Sequence, residues 1–347
     1  MTPDPVERFL KRRGLLASRL FTGPRSGLSD LLDVSITGTQ ALAKKIYPNC
    51  LAPTALIVLV AVFLMQVVWP QFFYTSAPNE IWVQVAEASA VLVILVVVGL
   101  PILAVGLALV SGFCSLLVAQ YVQGVDADSD QCLATARKAL PKLVLCIVLM
   151  IVRASLLLLI AFGLLVLSAV FDAYYGVGEV AQAMAGVMVL GAVFLSIFSI
   201  PYVISQYSLA PVAVVLEDAS PREALRRSKE LLKGTRYANG ATLRPLGLLL
   251  AIAFVALIGF GGLWSLESLL GIQNFIEGLL LNQNVASVLS AMVSTLLFFL
   301  AIMVFLPFYC VGCALLYFDR RVRHDGLDVE MLARGAWKQG KESRFEV

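Results

Sequence analysis

Six apolar runs, each long enough to cross a bilayer, constrain this chain more than any other feature. They lie at roughly 53–69, 85–118, 141–170, 183–212, 246–265 and 286–317. A spanning helix needs about 20 predominantly apolar residues, because hydrocarbon offers no partner to a free backbone N–H or C=O. Composition agrees: 60% of the residues are hydrophobic, 14% are charged and the mean hydropathy is +0.89. A soluble domain carries about 25% charged residues. An ordinary soluble, disordered or fibrous protein is therefore excluded, and an all-α polytopic membrane protein is expected. No secretory signal peptide is expected, since the first long apolar run begins only near residue 51.

The second run is too long for one simple span. With its tail to Gln123 it reaches ~58 Å at about 1.5 Å per residue, against a hydrocarbon core of about 30 Å. Charge placement decides how to read it. Lys and Arg number eight in 1–50, three in 119–142, seven in 217–245 and seven from Asp319 onward. The loops 70–84, 171–182 and 266–285 hold none and carry only the acids Glu80, Asp172, Glu179, Glu267 and Glu277. The positive-inside rule then predicts six spans with both termini cytoplasmic, and a second span that is one kinked helix with a cytoplasmic extension. Trp69, Phe72, Phe73, Trp82, Tyr174, Tyr175 and Trp264 gather at the outer ends, as interfacial aromatics do.

Prolines suggest three helical hairpins. Pro53, Pro141 and Pro245 are placed to open the odd helices, where a missing N–H costs nothing. Pro101, Pro201 and Pro307 fall inside the even ones, where they would kink them. The expected organisation is a basic cytoplasmic segment at 1–50 with amphipathic helices, a membrane domain at 51–318, and a cytoplasmic tail at 319–347. Interfacial helices are expected near 129–140 and 220–233 on the cytoplasmic side, and an outer interfacial helix or re-entrant cap at 266–280.

The sharpest local signal is the helix from Ser220. Ser220 and Glu223 form a capping box, Pro221 takes the first helical position, and Gly234 ends the run. Ala224, Leu225, Ser228, Leu231 and Leu232 share one face, and Arg222, Arg226, Arg227, Lys229 and Lys233 hold much of the rest. Such a helix suits the inner interface, with its cations toward anionic head groups; a solvated connecting helix would show the same pattern. Asp319, Arg320, Arg321 and Arg323 are candidates for the same kind of contact.

Arg153 is the one basic residue placed within a span. An unpaired charge there costs at least about 2.5–3.5 kcal/mol. Glu87 and the pair Glu217–Asp218 are its candidate partners, and Ser196, Ser199 and Gln206 line a polar face of the fourth span. Together Arg153, Glu87, Ser196, Ser199 and Gln206 form a candidate intramembrane site, with a buried pair fixing helix register as the structural alternative. Cys310 and Cys313 form a CxxC within a span, read as small packing residues because the lone histidine, His324, leaves no paired ligand set for zinc. No catalytic motif, metal site or cofactor site is legible, and no nucleic-acid partner is expected.

Two stretches carry a resemblance. Leu209–Glu217 (LAPVAVVLE), followed by Ala224-Leu225-Arg226-Arg227-Ser228 and Leu232-Lys233-Gly234, resembles a pattern of a bacterial membrane-protein superfamily. That group includes the membrane domain found beside some glycerophosphoryl diester phosphodiesterases. Leu316–Glu330 (LYFDRRVRHDGLDVE) resembles the tail of the same group. The resemblance implies a helical bundle in a bacterial cytoplasmic membrane, mostly of unassigned activity; the phosphodiesterase barrel has no counterpart here. The expected function is a non-enzymatic scaffold, regulatory or accessory subunit of another membrane system. Its expected partners are the bilayer, anionic head groups and a membrane protein or a second copy. A transporter or lipid-handling permease with a site near Arg153 is the alternative, and a membrane-embedded lipid enzyme comes third.

Overall fold

The computed structural model describes residues 28–63, 93–123, 128–175, 187, 191, 194–195, 199–233, 247, 250 and 283–325. Among these the protein is all-helical. Helix α1 covers Leu28–Phe63, α2 Leu100–Gln123, α3 Ser129–Tyr175, α4 Ala210–Leu216, α5 Pro221–Lys233 and α6 Gln283–Asp325. Five helical stretches among the described residues are long and apolar enough to cross a membrane: Leu32–Val62, Val96–Val122, Ser129–Leu156, Ser199–Leu216 and Thr295–Val322. They make this a multi-pass membrane protein. The fifth expected span, 246–265, with Pro245 before it and the expected outer cap at 266–280 after it, lies outside the described residues apart from Gly247 and Leu250.

Two proline assignments are corrected. Pro53 does not open a helix: it lies inside α1, together with Pro48. Pro141 likewise lies inside α3. An interior proline costs about 3 kcal/mol through a lost hydrogen bond and a clash with the i−4 carbonyl. The flanking packing supports that cost, because Leu42, Ile46 and Cys50 before Pro53, and Cys132 and Ala136 before Pro141, are buried in the core. The helix expected separately near 129–140 is thus the first part of α3. Similarly, α1 runs through the expected boundary at residue 50, and α6 continues past Phe318 to Asp325.

Pro101 follows a π-helical turn at Leu95–Gly99. A proline cannot donate to the carbonyl four residues back, and a wider turn absorbs the misfit. The Ser199–Leu216 stretch is interrupted by a turn at Ser208–Leu209. Pro211 explains it: its ring has no N–H for the Tyr207 carbonyl.

Burial is uneven along the bundle. The core joins α1 (Val34–Cys50), α2 (Ala104–Val122), the early part of α3 (Cys132–Ile147), Tyr207–Val214, α5 and the late part of α6 (Met303–Phe318). These are the ends of the helices that carry Lys142, the α5 cations and Arg320. Away from that end the apolar side chains are exposed: Leu59, Val97, Leu156, Ile160, Leu167, Phe194, Met292 and Leu300. Helix α1 packs between α6 and α2, α2 packs on α3, and α5 folds back against α4.

The α1–α2 contact is unusually close. A Cβ on Gly106 would lie 2.7 Å from Ile57 Cγ1 and 2.8 Å from the Pro53 carbonyl oxygen. Membrane helices lack a hydrophobic drive to associate and depend on such approach for van der Waals contact.

Candidate functional site

Polar chemistry converges where α4, α5 and α6 meet. Glu217 caps the C-terminus of α4, with its N–H bonded to the Ala213 carbonyl at 3.0 Å. Its carboxylate accepts the Tyr317 hydroxyl through Oε1. Arg227 Nε stands 3.6 Å from Oε2, and Arg321 Nε stands 3.6 Å from Oε1. One carboxylate, 20% exposed, thereby ties α4 to α5 and α6. Next along the chain, Asp218 takes a positive φ of 53°, which aspartate tolerates better than most residues. Its carboxylate pairs with Lys142 of α3 at 2.6 Å.

Helix α5 is held from its other side as well. The Ser228 hydroxyl donates to the Gln206 carbonyl at 2.8 Å, beside the break that Pro211 imposes. Ala224, Leu225, Leu231 and Leu232 are buried, as the amphipathic pattern predicts. At its start Ser220 accepts the Ala224 N–H through its carbonyl, and its hydroxyl meets Glu223 Oε2 at 3.4 Å. Arg222 and Arg226 point outward, Arg226 pairing with Glu230 one turn on.

The structure redistributes the candidate residues. Arg153 does not meet Glu217 or Asp218, whose partners are those just described. Its guanidinium lies over the Tyr207 ring, 5.4 Å from the centroid, and Lys229 Nζ lies 5.0 Å from the same centroid. Arg153 is exposed while Tyr207 is buried. Glu87 and Ser196 lie outside the described residues. Ser199 is half-buried in its helix, and Gln206 contributes its backbone carbonyl. Asp319 and Arg320, expected on a contact surface, are instead 4% and 2% exposed. They are buried because α6 stays helical past the expected span end and keeps them packed on the bundle. Arg321 is turned to Glu217. For Lys233 and Arg323 only the backbone is described.

Sequence reasoning missed Tyr207 and Tyr317. Tyr207 has no local signature, and Tyr317 stands in the LYFDRR motif without anything there that gives it a partner; each acquires its role from a helix distant in sequence. Two hydroxyls of the fourth span are satisfied locally. Ser205 and Ser208 donate to the Tyr202 and Ser205 carbonyls of their own helix, a common way to satisfy a hydroxyl in apolar surroundings.

A cavity of roughly 80 Å³ lies deeper in the bundle, walled by Leu107, Ile147, Met150, Pro211, Leu306 and Cys313, with Ser111, Ser115, Ser208 and Tyr309 offering oxygens. Tyr309 Oη is buried beside Ser208 and Cys313. The space suits a few waters, each of which occupies about 30 Å³ in the liquid. Arg153 does not line it. Cys310 and Cys313 are buried, unbridged packing residues beside it. Among the described residues no group of three metal-ligating side chains gathers.

Residues 45–311 match a family described as a domain of unknown function, DUF7847. No curated protein and no solved structure matches the chain.

Proposed function

We propose that this chain, which belongs to the DUF7847 family, is a non-enzymatic scaffold or accessory subunit of another membrane system, engaging its partner through the cytoplasmic face of α5. The observation that carries this reading is where the polar interactions are concentrated. Glu217, Arg227, Arg321, Tyr317 and Ser228 all serve to fix α5 rigidly on the bundle. A helix so held presents Arg222 and Arg226 at a defined position, and a pre-ordered surface binds with less entropic cost than a mobile one. A merely connecting helix does not require a three-element clamp.

In this reading both termini and α5 are cytoplasmic, in a bacterial inner membrane, and the motif resemblance at 209–234 and 316–330 supports that setting. Reporter fusions check the orientation. A fusion after Tyr175 is expected to score outside and one after Lys229 inside; the reverse pair contradicts the assignment. The function itself is tested by affinity purification from native membranes in mild detergent. A partner protein recovered in stoichiometric amount is the expected result. A lone monomer that supports solute flux in liposomes contradicts it and favours transport.

A further inference from the structure

We propose that Arg153, Lys229 and Tyr207 form a binding site for the phosphate of an anionic membrane phospholipid, whose acyl chains lie along the exposed face of α3. This site rests on the membrane-spanning fold alone and is independent of the partner-binding reading.

Charge matching around α5 isolates it. Arg227 and Arg321 face Glu217, Lys142 faces Asp218, and Arg226 faces Glu230. Arg153 and Lys229 instead converge on one neutral ring, their heads no more than about 10.4 Å apart. Among the described residues no carboxylate lies within ion-pair distance of either. Two cations gathered on one ring repel each other, and a cation–π contact returns only about 0.5–1 kcal/mol at an exposed site. An anion at the rim of the ring resolves that repulsion. Both side chains are long enough to reach a single phosphodiester between them.

The surroundings identify the source of the anion as a lipid. Arg153 is exposed and lies beside an exposed apolar stripe of Leu145, Val152, Leu156, Ile160 and Leu167. These recur at helical spacing on one side of α3. The apolar stretch 154–171 that follows Arg153 is ~27 Å long at about 1.5 Å per residue, close to the hydrocarbon thickness of about 30 Å. The two cations sit beside the amphipathic α5, whose charged face suits head-group depth, and the stripe beyond Arg153 offers a surface for acyl chains. Tyr207, buried between the helices, fixes the two cations relative to each other. A zwitterionic choline head group fits less well, because its own cation would face Arg153 and Lys229.

Native mass spectrometry of the detergent-solubilised full chain tests this, with phosphatidylglycerol and phosphatidylcholine as probes and inorganic phosphate as competitor. The first phosphatidylglycerol is expected to bind more tightly than phosphatidylcholine. R153Q and K229Q should each weaken it about fivefold, from about 1 kcal/mol per interfacial cation. R153K should retain most of the affinity, which shows that the site and not the fold has been altered. K138Q, at an exposed cation elsewhere on α3, should leave it unchanged. Equal binding by R153Q and the native chain overturns the proposal, as does an equal loss in K138Q. Displacement by millimolar inorganic phosphate overturns the lipid assignment in favour of a free-anion site. Loss of a protein partner without loss of this lipid affects only the scaffold reading.

Discussion

Replacing Glu217 by alanine is expected to cost about 3 kcal/mol of stability, toward the low end of what removing one partner of a buried ion pair costs. The low end applies because Glu217, Arg227 and Arg321 keep 20–28% of their side-chain exposure, so solvent screens part of the attraction. The loss leaves two guanidinium groups facing each other and a phenol without its acceptor. Tyr317→Phe removes one hydrogen bond to a charged group and should cost about 1.5–3 kcal/mol. Because both variants delete the same contact, the double variant should be less destabilised than the two losses together, with a coupling of about 1 kcal/mol. Denaturant unfolding in mixed micelles reads all three. Strict additivity would mean that Tyr317 and Glu217 do not act as a unit.

Gly106→Val is the second large effect. A Cβ there meets Ile57 Cγ1 at 2.7 Å and the Pro53 carbonyl at 2.8 Å. The Ile57 side chain has some freedom to turn away, but the Pro53 contact is backbone, so α1 itself has to move from α2. Overpacking of this kind costs typically about 1–3 kcal/mol, and the upper value is expected because a carbonyl is involved. Gly163 provides the control, since a Cβ there meets nothing within 4 Å. Gly163→Val should melt with the native protein while Gly106→Val melts well below it. Equal melting of the two would contradict the close α1–α2 approach.

The helices were legible in the sequence, and the way they meet was not. Apolar length made the membrane class legible, and α5 was legible at its start because Ser220, Pro221 and Glu223 act within one turn. The role of Glu217 was not, because its partners Arg227, Arg321 and Tyr317 come from two other elements, and the motif around Tyr317 does not say which acid it meets. Prolines misled for a physical reason. The rule that proline opens a helix reflects local cost, whereas Pro53 and Pro141 sit in helices whose preceding turns are buried in the core. Arg153 stood out in the sequence as a lone charge, and its neighbours in the structure are an aromatic ring and a second cation, where an acid was expected. A cation on a ring across two helices has no spacing in the sequence to betray it.

Photo-crosslinking in native membranes shows whether α5 is a fixed platform for a protein partner. A photoreactive residue replaces Arg222, which is exposed, or Ala224, which is buried on the opposite face. A discrete protein adduct is expected from position 222 and only intramolecular products from 224. Lipid adducts alone from position 222, with no protein band, would contradict it.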